Sequence, residues 1–157
     1  MKIIFLDVDG VLNDVNTSDI FRSKVDSYGY NGLDTDKIER LNRIVKETGS
    51  KIVLSSSWRK YDEFVDYLKL KMEQVDPELP LTIIGETPVH ISFCERCIEI
   101  DEWLMEHPEV TRFIVLDDLT MDGLEKYGNS FIQTYMSDGL TEELTEKCIN
   151  LLQKIVT

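Results

Sequence analysis

Short apolar runs that stop at polar clusters, separated by stretches of helical period, constrain this chain more than any other feature. Ile3-Ile4-Phe5-Leu6 stops at Asp7-Val8-Asp9-Gly10, and Lys51-Ile52-Val53-Leu54 stops at Ser55-Ser56-Ser57. Arg112-Phe113-Ile114-Val115-Leu116 stops at Asp117-Asp118. Runs this short and this apolar read as strands covered on both faces. Between and after them, apolar residues recur every three or four positions: Ile38, Leu41 and Val45; Phe64, Leu68, Met72 and Val75; Phe93, Cys97, Ile100 and Leu104; Leu144, Cys148, Leu151 and Ile155. Strand and helix alternating in this order predict an α/β fold, with a central, mainly parallel sheet between layers of helices.

Local signals set expected boundaries. The first strand is expected at 2–8, a third at 81–84 and a short fifth at 130–134. Asp34 and Thr35 can cap a helix that stops at Gly49. Ser92-x-x-Glu95 has the pattern of a capping box opening the helix that ends before Pro108. Thr141 can cap the last helix, with Glu142 and Glu143 favourably placed in its first turn. Residues 13–33 are polar and irregular and suggest a flap or rudimentary cap, with Asn13, Arg22 or Lys24 as sources of selectivity. With 157 residues and no interdomain linker, a single domain over 1–157 is expected.

In parallel sheets of this kind, ligands bind beyond the carboxyl ends of the strands. The clusters Asp7/Asp9, Ser55–Ser57 and Asp117/Asp118 all fall on that edge. Four carboxylates there repel one another unless a cation compensates them, and paired hard oxygens suit Mg²⁺. Asp7, at a strand end, suits a carboxylate nucleophile. Asp9 points to the same side of an extended chain and suits a proton donor that later activates water. Hydroxyls and amides near Ser55 and Ser56 suit phosphate oxygens, and Arg96 suits the balancing cation.

The balance of 17 basic and 30 acidic side chains gives a net charge of −13. Such a surface argues against sequence-independent nucleic-acid binding. Met1-Lys2 precedes only four apolar residues before Asp7, too few for a secretory signal, and no stretch is long enough to span a membrane. Cytoplasmic residence and a phosphorylated substrate, rather than a membrane, are the expectations. The three cysteines, Cys94, Cys97 and Cys148, do not suggest a disulfide framework.

Asp7-Val8-Asp9-Gly10-Val11-Leu12 resembles motif I of the haloacid dehalogenase (HAD) superfamily of phosphatases. Leu54-Ser55 is similar to its motif II and Leu116-Asp117-Asp118 to its acidic motif IV. Ile52-Val53-Leu54-Ser55-Ser56-Ser57-Trp58-Arg59 and Gly139-Leu140-Thr141 resemble small, nearly capless members, some fused to RNA-repair enzymes. The resemblance implies a Rossmann-like three-layer sandwich with a minimal cap. It implies a Mg²⁺-dependent phosphatase with Asp7 as nucleophile and Asp9 as acid/base, the Asp9 backbone carbonyl also ligating the metal. It further implies Ser55 as phosphate ligand, with Asp117 or Asp118 completing the metal site. The superfamily usually has a lysine at motif III; the best-placed cation here is Arg96, which carries the charge in a planar fork.

Other readings compete. Asp7 and Asp9 can be turn residues, Ser55 a helix cap with Ser56 or Ser57 the true phosphate contact, and Arg96 a solvated helix residue. Trp58-Arg59 can grip a substrate or simply pack. Cys94-x-x-Cys97 with His90 supplies three of the four ligands that structural zinc usually needs, and Cys97 lies on the apolar stripe. His107 before Pro108 reads as a helix-end residue. A phospho-signalling receiver also gathers aspartates at a sheet edge, and a non-catalytic binding domain could share the fold. Dehalogenase chemistry needs the nucleophile without the Asp9 proton donor, and a polynucleotide end is one conceivable phosphatase substrate.

Overall fold

A computed structural model describes residues 1–19, 21–22, 29–30 and 32–154, with backbone alone at 21–22 and 29–30. Strands β1 (Lys2–Leu6), β4 (Lys51–Leu54), β5 (Ile83–Glu86), β6 (Arg112–Asp117) and β7 (Phe131–Gln133) form one sheet in the order β5-β4-β1-β6-β7. All its pairings are parallel. The helices are α1 (Thr35–Thr48), α2 (Asp62–Val75), α3 (Arg96–Glu106) and α4 (Glu142–Gln153). Strands β2 (Phe21–Arg22) and β3 (Gly29–Tyr30) pair antiparallel to each other, apart from the sheet and inside the expected flap. The Lys24 expectation, the Arg22 side chain and Ile155 lie outside what is described.

Numbered along the chain, the five sheet strands run 3-2-1-4-5. This differs from the 2-1-3-4-5 order of flavodoxin-like sheets, the arrangement that receivers use. The site-bearing strand β1 is therefore central, with β4 and β6 on its two sides.

Alternation along β1 sends its side chains into two separate cores. Ile4 and Leu6 pack with Leu41 of α1, Leu68 of α2 and Leu152 of α4 on one face. Ile3 and Phe5 pack with Cys97, Ile100 and Trp103 of α3 on the other. Phe5 meets Trp103 and Phe113 edge-on, at 5.5 and 5.7 Å between ring centroids. Each of these fully buried β1 side chains contributes about 1.5–3 kcal/mol. Three layers and a doubly covered parallel sheet result. No helix among the described residues is long and apolar enough to cross a membrane.

Local signals succeed where nothing tertiary opposes them. Asp34 caps α1 by accepting from the Asp36 amide at 2.9 Å, and Gly49 ends it in the left-handed conformation. Thr141 caps α4 through the Leu144 amide. The expected Ser92–Glu95 capping box does not form. Glu95 is itself the N-cap residue, without a side-chain cap bond, and Phe93 is 88% exposed rather than on the helix stripe. The start of α3 is fixed instead by tertiary contacts: the Cys97 amide donates to the Asp122 carbonyl, and Arg96 docks on two aspartates.

The third strand begins two residues later than expected. Leu81 is 69% exposed, and pairing with β4 runs from Ile83 to Glu86 across an irregularity between Ile52 and Val53. A short apolar run carries too little periodicity to fix its own register. β1 likewise stops at Leu6 rather than 8, where the chain turns away from the sheet. The buried face of α4 is Thr145, Cys148, Ile149 and Leu152, rotated from the expected stripe so that Leu144 and Leu151 are only partly buried.

Lys37 of α1 is buried against Asp14 at 2.6 Å, with Asp34 at 3.2 Å. The Asn16 amide and the Thr17 hydroxyl also donate to Asp14. Burial works against the Asp14 charge, but Lys37 and these donors outweigh it and hold its carboxyl below the usual value. Removing one member of a buried pair strands the other. Lys37→Met is expected to lower the unfolding free energy by about 3 kcal/mol in a urea titration. Asp14→Asn, which keeps hydrogen-bonding capacity and leaves Lys37 its second carboxylate, is expected to cost clearly less.

Candidate active site

The carboxyl ends of β1 and β6 bring three aspartates together. Asp7 follows β1, its amide donating to the Leu116 carbonyl at 2.9 Å, which holds the residue beside β6. Asp117 is the last residue of β6 and fully buried; Asp118 follows it. One carboxylate oxygen from each of Asp7, Asp117 and Asp118 lies within 4.8 Å of the others. Among the described residues no other group of three metal-ligating side chains is this close, so Cys94, Cys97 and His90 form no zinc site there.

Gly10 permits this crowding. Its φ is +76°, a conformation that side chains disfavour, and a Cβ at that position would lie 2.4 Å from Asp118 Oδ2. The loop it belongs to is fastened from the far edge of the sheet. Thr134 donates its hydroxyl to the Gly10 carbonyl at 2.6 Å and its amide to the Asp117 carbonyl at 2.9 Å.

Arg96 sits over the group. Its Nη1 is 2.5 Å from Asp117 Oδ2 and 3.3 Å from Asp7 Oδ1. Burial alone would lower its pKa, but the charges of Asp7 and Asp117 outweigh that and raise it. The carboxylates respond oppositely. Burial raises Asp7 to about 7; Arg96 pulls against the rise, and Asp117 and Asp118 add to it. Burial also raises Asp117, despite its Arg96 partner, and raises Asp118, which feels Asp117 as well. Among the described residues, one guanidinium faces two buried acids and a half-buried third, and leaves part of their charge uncompensated.

Asp9 stands apart from this trio. Its Oδ1 accepts from Asn13 Nδ2 at 2.8 Å and its Oδ2 from the Trp58 indole at 3.0 Å. The expectation that four carboxylates would crowd together thus gives way to three plus one, because two donors draw the fourth aside. Asn13 also accepts the Gly10 amide at 2.9 Å and donates to the Gly32 carbonyl at 3.0 Å. Asn13 and Trp58 are the residues around Asp9 that the sequence left as a selectivity candidate and an undecided aromatic. The signal for Asn13 was its place four residues after Asp9; nothing local pairs Asp9 with Trp58.

The serines divide. Ser55 and Ser56 both donate their amides to the Leu6 carbonyl, at 3.0 and 3.2 Å, so neither N–H points to a ligand. Ser56 is the cap, its hydroxyl accepting the Trp58 amide at 3.2 Å to start the short helical turn Ser57–Lys60. The Ser55 hydroxyl is buried and has no hydrogen-bond partner among the described residues. Of the two expected phosphate ligands, the Ser55 hydroxyl has no partner, while the Ser56 hydroxyl is held in place as the acceptor of a cap bond. Arg59 is not a gripping residue: it is buried among backbone carbonyls and Glu99. His107 caps the end of α3 and stacks on Trp103 at 3.6 Å. A groove of about 650 Å³ lined in part by Glu86, Val89, Trp103 and His107 does not include the aspartates.

No curated protein and no solved structure matches the chain. Residues 3–145 match the family described as the HAD domain in Swiss Army Knife RNA repair proteins. That family supports a hydrolase of phosphatase type in general. The match runs from β1 into α4 and takes in every aspartate described above; the chain belongs to this family and is a HAD-superfamily domain of RNA-repair type.

Proposed function

We propose that the chain is a Mg²⁺-dependent phosphohydrolase working through an aspartyl-phosphate on Asp7. The observation that carries this is the trio of Asp7, Asp117 and Asp118 at the carboxyl ends of β1 and β6, two buried and one half-buried, with Arg96 alone balancing them among the described residues. The donor set fits a divalent cation: hard oxygens, converging, and costly to leave together uncompensated. Asp7, the Asp9 carbonyl and Asp117 or Asp118 would hold Mg²⁺, which would supply positive charge to the phosphoryl oxygens and keep Asp7 ionised.

The protein's own groups then divide the work. The Asp7 carboxylate attacks phosphorus, and the bond from phosphorus to the leaving oxygen breaks. Asp9 gives that oxygen a proton, then takes one from the water that attacks the aspartyl-phosphate, releasing phosphate and restoring Asp7. Asn13 and Trp58 hold the Asp9 carboxylate in one orientation. Ser55 donates its free hydroxyl to a phosphoryl oxygen, and Arg96 balances charge between nucleophile and phosphoryl group. A phosphorylated polynucleotide end is a second substrate reading. The family favours it and the charge of −13 opposes it.

Purified protein with Mg²⁺ is expected to hydrolyse p-nitrophenyl phosphate, and Asp7→Asn to abolish that turnover; activity surviving the substitution would remove Asp7 from its role. In the first step, read as single-turnover release of the alcohol, Asp9→Asn is expected to slow an alkyl phosphate by about 100-fold or more, and p-nitrophenol release by much less, because a good leaving group needs no proton. Equal losses in that step, which precedes the water attack that Asp9 also serves, would show that Asp9 does not protonate the leaving group.

The raised carboxylates also set a pH dependence. Groups whose pKa is higher folded than unfolded stabilise the fold at low pH and lose that contribution as pH rises through the folded value. For Asp7 the window runs from 3.8 to about 7. Metal-free protein is therefore expected to lose thermal stability between those pH values, and Asp7→Asn to flatten the slope. Mg²⁺ is expected to raise the melting temperature more at pH 8 than at pH 5.

A further inference from the structure

Arg59 is 5% exposed, and its N–H groups all have acceptors. Nε donates to the Thr87 carbonyl at 3.1 Å. Nη1 donates to the Ser55 and Ser56 carbonyls at 2.9 and 2.8 Å. Nη2 donates to the Pro88 carbonyl at 3.1 Å and to Glu99 Oε2 at 2.8 Å. One guanidinium thus joins the turn after β4, the turn after β5 and the first part of α3.

Both of its ends lead to the active site. Glu99 lies three residues after Arg96 on α3, so the two side chains leave nearly the same face of that helix. Fastening Glu99 fixes the rotation of α3 about its axis. That rotation decides whether Arg96 reaches Asp7 and Asp117. At the other end, the Ser55 and Ser56 carbonyls turn onto Arg59 while their amides turn onto the Leu6 carbonyl. A backbone pinned on both sides fixes the Ser55 Cβ, and so the few places its unpartnered hydroxyl can reach. Burial lowers the Arg59 pKa, and the Glu99 charge works against that.

We propose that the Arg59–Glu99 pair is a positioning device that sets Ser55 and Arg96 in register with each other across the phosphoryl site. The proposal rests on the phosphohydrolase reading. Arg59 touches no substrate; it acts through the two groups that do. Lysine keeps the charge but has three donors on a flexible stem, so it cannot serve these acceptors together.

The test compares wild type, Arg59→Lys, Glu99→Gln and Ser55→Ala, with thermal unfolding to establish that each is folded. On p-nitrophenyl phosphate, Arg59→Lys is expected to lower kcat by about 100-fold with a much smaller change in KM, as for a displaced reacting group. Inorganic phosphate should bind it about 10-fold more weakly by calorimetry. Ser55→Ala should cost about 10-fold in wild type and almost nothing in the Arg59→Lys background, since the serine is already misplaced. Unchanged kcat in folded Arg59→Lys, or losses from the two substitutions that simply multiply, overturns the proposal. If Arg59→Lys does not fold, Glu99→Gln, which keeps an acceptor and removes the charge, carries the same comparison. Wild type inert on the aryl ester removes the phosphohydrolase reading, and phosphate calorimetry then decides the positioning role alone. Weaker binding in the variant supports it; equal binding, or none by wild type, overturns it.

Discussion

Crowding of like charge at the carboxyl ends of β1 and β6 is the constraint around which the rest of this molecule is arranged. Carboxylate oxygens of the three aspartates lie within 4.8 Å of one another, and ionised groups that close repel by several kcal/mol at the effective dielectric of a protein surface. The chain accepts this penalty at the one place where a parallel sheet concentrates strand ends. Every neighbouring feature limits the penalty or holds the groups against it. Gly10 opens the space that Asp118 fills, Arg96 offsets part of the charge, and Thr134, just after the edge strand β7, ties down the Asp7–Gly10 loop. The two cores on either side of β1 keep the strand from yielding.

The fold was legible where pattern and burial coincide. β1, β4 and β6 are covered on both faces, so their sequences are uninterrupted apolar runs, and the polar residue ending each run marks the functional edge. Asp7, Ser55 and Asp117 were therefore placed at one edge from sequence alone. Arg96 was left between a balancing cation and a solvated helix residue, and its side chain lies against Asp7 and Asp117. Elements decided by tertiary contact were misjudged. Ser92-x-x-Glu95 looks like a helix start because its local chemistry suits one. The helix begins later because Arg96 docks on acids distant in sequence and Asp122 takes the Cys97 amide. β5 slid by two residues for a related reason: its register is set by β4, not by its own four residues.

Side-chain direction was the least legible property. Trp58 and Arg59 are adjacent, and sequence offered them one shared choice between gripping a substrate and packing. They turn to different partners, the indole to Asp9 and the guanidinium to backbone carbonyls and Glu99. The helical turn at Ser57–Lys60 is four residues long, too short for a periodicity argument to assign their faces. The same holds for Ser55 and Ser56, whose neighbouring hydroxyls differ because only one sits where the turn needs a cap.

Asn13 carries a consequence of its own. Its amide group accepts the Gly10 N–H and donates to both the Asp9 carboxylate and the Gly32 carbonyl. Gly32 lies two residues after β3, so one planar group joins Asp9, the tight turn after Asp7 and the chain at Gly32. Because the amide is rigid, its contacts cannot adjust separately. A shift of the chain at Gly32 therefore pulls on the Asp9 carboxylate through that one amide.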